Sequence, residues 1–290
     1  MENSIFHTLK KLGLTSDETK KLFNVGTRDL KNINVWKDDL SGVIFIDDFY
    51  TGDDVYKGGT YRKDLPNQMI DHERYIDAQR RYHSNLQYCS GKKLLDFGCG
   101  LGDFLKLIKD HCVEITGVEL QEDHVNNLNS YGIKCLNDID LVEDDSIEVC
   151  VSFHVIEHLP DPIRTLKVIK KKIVKGGTLI VEVPHANDFL LSSLKEENFK
   201  KFTLWSQHLI LHTKDSLERL LRHVGFCDIS INGVQRYPLS NHLNWLANGK
   251  PGGHKSTLSV IDSPTLKNAY SDSLSRINAT DTIVAIAKVQ

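Results

Sequence analysis

The chain of 290 residues has no stretch approaching the roughly 20 consecutive apolar residues of a membrane-spanning helix. Its amphipathic start, residues 1–12, lacks a secretory apolar segment and a small-residue cleavage site, so the sequence reads as cytoplasmic. Its cysteines, Cys89, Cys99, Cys112, Cys135, Cys150 and Cys227, include no C-x-x-C pair. That excludes a zinc ribbon and argues against a disulfide framework; buried thiols in a reducing compartment are expected. Neither charge dominates: 36 basic and 39 acidic side chains leave a net −3. With no arginine/lysine stripe, a nucleic-acid binder acting through global charge is not expected, while a local basic patch stays open. Internal repeats, low-complexity tracts and a strongly apolar helix suited to a lipid are also missing.

What is present is an ordinary globular composition, 40% hydrophobic and 26% charged, with ample length for a core. Residues 1–90 read as an N-terminal extension that covers the acceptor site. Ile5, Phe6, Leu9 and Leu12 have helical spacing, Ser16-Asp17-Glu18 resembles a helix start before Leu22-Phe23, and residues 41–47 read as a strand. A tyrosine- and glycine-rich loop follows, then a charged helix over about 68–88. From residue 91 strands and helices alternate, with strands near 93–97, 114–119, 133–136, 147–153, 178–183 and 228–231, and a last strand over 282–289. Alternation at this spacing predicts an α/β fold with a mostly parallel sheet covered by helices on both faces. The stretch 234–280 between the last two strands is too long for a turn and reads as a functional insertion.

Asp96-Phe97-Gly98-Cys99-Gly100-Leu101-Gly102 follows a strand and opens a helix. Alternate glycines let the backbone pass close under a ligand, and the helix start supplies free N–H groups. Glu119, ending the next strand, is placed to accept hydrogen bonds from both hydroxyls of a ribose. Asp103, after the last glycine, would repel a pyrophosphate; the turn suits a ligand with an ammonium group, and S-adenosylmethionine (SAM) is such a ligand. Together with the run His154-Val155-Ile156-Glu157-His158-Leu159-Pro160-Asp161-Pro162 and the segment 175–184, these residues resemble a class I SAM-dependent methyltransferase. The resemblance covers about 93–232 and the last strand. It implies a Rossmann-like seven-stranded sheet in the order 3-2-1-4-5-7-6, the last strand antiparallel, and S-adenosylhomocysteine as product. It also implies cofactor contacts at Asp96, Gly98, Cys99, Gly100, Gly102, Glu119, Leu120, Asp138, Ile139, Phe153 and His154. Residues 35–47 and the tyrosine-rich loop after them resemble methyltransferases found with surface-polysaccharide genes, without the zinc-binding cysteines of some sugar methyltransferases.

His154, Glu157 and His158 lie at helical spacing, and His208 follows 50 residues after His158. Imidazoles with a carboxylate suit a transition metal, Mn, Fe, Co or Zn. The pattern is similar to the E-x-x-E-H plus distant histidine of metal-dependent O-methyltransferases that act on small-RNA 3′ ends or ubiquinone-type phenols, with His154 in place of the first acid. Acid–base catalysis by His158 or His208, and simple scaffolding, are the alternatives. Arg236, Tyr237, Lys250, His254 and Lys255 in the insertion, with Tyr61 and Arg62 in the extension, are candidate acceptor contacts, and the basic ones suit a phosphate or nucleotide diphosphate. Lys170-Lys171-Lys172 reads as a solvated helix end. The expected protein is thus a monomeric or homodimeric O-methyltransferase acting on a small molecule, a nucleotide-linked or phosphorylated sugar for a bacterial capsule or lipopolysaccharide. No membrane or nucleic-acid partner is expected. A metal-dependent O-methyltransferase of an RNA 3′ end or a quinone-like phenol, and a non-catalytic SAM-binding module, are the alternatives.

Overall fold

A computed structural model describes residues 4–47, 49, 50, 52 and 67–290, with side chains of the last stretch from residue 73 onward. Tyr61 and Arg62 lie outside the described residues. The strands are β1 (Lys20–Val25), β2 (Asn34–Asp38), β3 (Ile44–Ile46), β4 (Lys93–Phe97), β5 (Glu114–Val118), β6 (Cys135–Leu136), β7 (Ile147–Phe153), β8 (Ile173–Pro184), β9 (Ile210–Leu211), β10 (Phe226–Val234) and β11 (Thr282–Val289). The helices are α1 (Ile5–Lys11), α2 (Asn67–Cys89), α3 (Asp103–Ile108), α4 (Glu122–Ser130), α5 (Pro162–Lys172), α6 (Glu197–Thr203), α7 (Lys214–Val224), α8 (Leu239–Asn248) and α9 (Pro264–Arg276).

The large sheet runs β10-β11-β8-β7-β4-β5-β6. Strands β4 to β8 are mutually parallel, and β11 lies antiparallel between β8 and β10. Numbered within the sheet, this is the predicted order. The central strands are buried on both faces, which is why Leu94-Leu95 in β4 and residues 149–151 in β7 read as unbroken apolar runs. All parallel strands end on one edge, and the loops leaving that edge hold the candidate site.

A second, four-stranded sheet, β1-β2-β3-β9, joins the extension to the rest: β3 pairs with β9 through Ile44 with Leu211 and Phe45 with Ile210. Ile5, Phe6 and Leu9 of α1 share one hydrophobic core with Leu95, Val181 and Leu217. The helix expected after Ser16 is absent. Ser16 and Thr19 instead close a turn with their own hydroxyls, Thr19 is anchored on the buried Asp38 carboxylate, and Lys20–Val25 is a strand paired with β2.

The insertion is helical. Trp245 of α8 is buried against Phe199 and Phe202, while Leu246 stays exposed. A Cβ at Gly253 would come 1.9 Å from the Ser240 carbonyl oxygen and 2.8 Å from Asn244 Cβ. Gly253→Ala is therefore expected to destabilise the protein by about 1–3 kcal/mol through overpacking. Thermal unfolding measures this; an unchanged midpoint would show that α8 and its following turn are loosely packed.

Candidate functional site

Gly98, Gly100 and Gly102 all have positive φ, and only over Gly100 would an added Cβ meet open space. The turn is therefore a cradle whose bare backbone faces outward at its centre. A cavity of about 100 Å³ lies beside it, lined among others by Asp96, Gly98, Cys99, Asp103, Phe153 and, from α2, Arg74, Asp77 and Arg81. Arg74 pairs with Asp103 at 2.6 Å. Glu119 accepts hydrogen bonds from the Gly100 and Gln121 N–H groups at 2.9 and 3.0 Å, fastening the turn to the end of β5. Beyond β6, Asp138 caps the short turn Ile139–Leu141, and Leu120 is half-exposed on the neighbouring loop. The expected cofactor residues thus lie at or just beyond the ends of the adjacent strands β4, β5, β6 and β7.

His154 ends β7 in a left-handed conformation, φ 56°. Its ring lies between two buried carboxylates, with Nδ1 3.3 Å from Glu157 and Nε2 3.3 Å from Glu182. Burial disfavours the charged ring, but these flanking carboxylates outweigh it and raise the His154 pKa. Glu182 also receives Arg80 at 2.8 Å and Arg81 at 2.7 Å. Burial alone would raise its pKa; these cations hold it well below the usual range. Arg81 additionally sits 4.8 Å over the Phe153 ring.

Metal-ligating atoms of Glu157, His158 and His208 lie within 4.8 Å of one another. His158 Nδ1 donates to the Gln207 carbonyl at 2.8 Å, which turns Nε2 toward Glu157 Oε1, 3.8 Å away. Both oxygens of Glu157 and Nδ1 of His208 are buried and lack a hydrogen-bond partner among the described residues. Burial would raise Glu157, but the His158 and His154 rings hold it at about 2. Burial, reinforced by His158, lowers His208 to about 3. The Leu209 N–H donates to the Glu157 carbonyl at 2.8 Å and so brings His208 to the cluster. Trp205 edges both rings, at 5.8 Å from His158 and 5.2 Å from His208, beneath the guanidinium of Arg28. His212 is buried beyond the cluster, with Nδ1 on Ser216. Three of the four predicted ligands therefore converge; His154 instead bridges carboxylates.

Arg236, Tyr237, His254 and Lys255 line a cavity of about 230 Å³ that shares Asp77 with the smaller one. Lys250 is exposed and not among its lining residues. The cations there are neutralised: Arg236 pairs with Asp77, and His254 and Lys255 reach Glu73 at 3.3 and 2.6 Å. Sequence reasoning missed Arg74, Asp77, Arg80 and Arg81, although three of them stand at helical i, i+3, i+7 spacing on α2. It also missed Glu73, Glu182, Arg28 and Trp205.

Residues 71–231 match the methyltransferase domain family, and the chain belongs to it, as a class I SAM-dependent methyltransferase. It is 26% identical over 163 residues to a ubiquinone biosynthesis O-methyltransferase from Idiomarina loihiensis, covering 51% of this chain and 67% of that one. It is 27% identical over 184 residues to a probable S-adenosylmethionine-dependent methyltransferase from Mycobacterium tuberculosis, covering 62% of this chain and 65% of the relative. The matched stretches thus span about two thirds of these relatives' own length. The fold is similar to a SAM-dependent methyltransferase from Archaeoglobus fulgidus, with a TM-score of 0.53 at 18% identity, covering 77% of this chain and 100% of that one.

Asp96 is buried, and desolvation, only partly offset by the Arg81 guanidinium, lifts its pKa from 3.8 to about 7. A carboxyl raised on folding contributes stability that is full below its unfolded pKa and is lost as pH rises through the folded value. The ligand-free protein is therefore expected to lose about 1 kcal/mol per pH unit relative to Asp96→Asn between about pH 4 and 7. Denaturant unfolding across that range measures it; parallel pH profiles would show that Asp96 stays ionised.

Proposed function

We propose that the protein transfers the methyl group of SAM to a hydroxyl of a small polar acceptor, releasing S-adenosylhomocysteine. The observation that carries this reading is the Glu157–His158–His208 group beside the end of β7, Glu157 buried and the two rings half-buried, in which both Glu157 oxygens and His208 Nδ1 have no hydrogen bond among the described residues. A hydroxyl is a weak nucleophile until its proton is drawn away. Glu157 near 2 and His208 near 3 hold too little affinity for a proton to serve as a general base at neutral pH. The same properties make them ready ligands, because a cation there does not compete with protons. The residues fit a divalent transition metal, Mn, Fe, Co or Zn, held by Glu157, His158 and His208, with the Gln207 carbonyl fixing the His158 tautomer. Such an ion, when bound, supplies Lewis acidity that lowers the pKa of a nearby hydroxyl. His154, between Glu157 and Glu182, acts as a positioning residue.

The methionyl part of SAM is assigned to the cavity beside Gly98–Gly102, with Asp96 as acceptor for the ammonium and Arg74 or Arg81 for the carboxylate. The ribose is assigned to Glu119 and the adenine to the loops carrying Leu120, Asp138 and Ile139. The acceptor is assigned to the adjoining cavity of about 230 Å³. Its walls carry Glu73, Asp77 and Asp262 against Arg236, His254, Lys255 and Lys267, a balance that suits a hydroxyl-rich, largely neutral molecule such as the sugar part of a nucleotide-linked precursor. This supports a cytoplasmic role in building a surface polysaccharide. A phenolic acceptor, favoured by the relative named for ubiquinone biosynthesis, is the second reading. The charged walls speak against a prenyl tail.

Elemental analysis of tag-free protein and of His208→Ala tests the cluster. Near-stoichiometric metal in the wild type, lost in the variant, is expected, with methyl transfer to nucleotide sugars abolished by chelator. Metal-free protein after reconstitution, with chelator-insensitive turnover, would refute the metal role.

A further inference from the structure

The basic residues around Arg236 and His254 are answered by Glu73 and Asp77. A different groove, of about 500 Å³, runs between α1 and α5 and is lined by Lys11 on one wall and Arg164, Lys167 and Lys171 on the other. None of these four side chains forms a salt bridge within 4 Å among the described residues, although Lys172 and, more weakly, Lys171 lie near enough to Asp144 to lower its pKa. Their neighbours differ: Lys10 pairs with Asp17, and Lys172 with Asp144. Of the run Lys170-Lys171-Lys172, only Lys171 faces the groove. The single acid in the lining, Asp161, is engaged in capping α5 through the Arg164 N–H at 2.9 Å. Four cations against the one carboxylate of Asp161 thus leave an excess of positive charge in one concavity, on a chain whose net charge is −3.

We infer that this groove binds a soluble oligophosphate, a ligand of the nucleoside di- or triphosphate class. Three features select that chemistry. The cations stand on opposing walls, so a ligand between them meets positive charge from both sides. Arg164 to Lys171 spans two helical turns, about 10 Å, which matches a chain of phosphoryl groups better than a single one. The volume is that of a small-molecule site, and the concave shape with Ile163 and Val168 in its lining offers apolar surface to a base or sugar. A membrane headgroup layer would present the same phosphoryl chemistry, but to a flat or protruding surface. The site is separate from the methyl-transfer centre: its lining shares no residue with the two cavities around Asp77.

The test is titration calorimetry of the full chain with sodium tripolyphosphate and with ATP, at two salt concentrations, for wild type and the triple variant Arg164→Gln/Lys167→Gln/Lys171→Gln. These side chains are exposed, so the variant is expected to keep the wild-type melting temperature and SAM affinity. Wild type is expected to bind one equivalent, more weakly at higher salt, and the variant to bind about tenfold less tightly or worse. No saturable binding of either probe, or equal binding by the variant, would overturn the inference. So would binding to vesicles containing phosphatidylglycerol in a flotation assay without binding to either soluble probe.

Discussion

A buried carboxylate organises the site. Glu182 lies in β8, 1% exposed, and taking its charge out of water costs several kcal/mol unless cations surround it. Arg80, Arg81 and His154 do so, each from a different direction. The arginines draw α2 across the edge of the sheet. His154 is held in a conformation that few non-glycine residues adopt, and its other nitrogen reaches Glu157. Glu182 pairs in register with Phe153, so the same residue sits at the end of β7, where the smaller cavity begins.

From that centre two chains of contacts leave. One passes through Arg80 and Asp77 to Arg236, joining α2 to the insertion and forming the wall between the two cavities. The Arg236 and Tyr237 N–H groups are held in turn by the half-buried Asp281 carboxylate just before β11. The other chain passes through His154 to Glu157, His158 and His208, closed by Trp205 and Arg28. The two cavities and the Glu157–His158–His208 cluster therefore share supports.

The strand order, the glycine turn with Asp96 and Glu119, and the Glu157-His158 pair with its distant His208 were legible in the sequence. The strands and the glycine turn rest on local periodicity and on spacing within one strand–turn–helix unit; the strand order and the link from Glu157-His158 to the distant His208 came from the resemblance to known methyltransferases. The partners of Glu182 were not, since Arg81 is 101 residues away in sequence and reaches it only when α2 packs on the sheet. The basic residues of the insertion were legible as charge but not as paired charge, for the same reason: Glu73 and Asp77 come from the other end of the chain. Lys20–Val25 reads as either element until β2 pairs with it, because its residues alternate only weakly between buried and exposed.

The most direct measurement of this account is the Glu182→Gln variant, followed by denaturant unfolding and by SAM titration. The substitution keeps the shape and removes the charge that Arg80, Arg81 and His154 answer. The account predicts a loss of about 3 kcal/mol of unfolding free energy, as for a broken buried pair, together with weakened SAM binding. Wild-type stability with wild-type SAM affinity would contradict it, and would mean that α2 and His154 are positioned by packing alone.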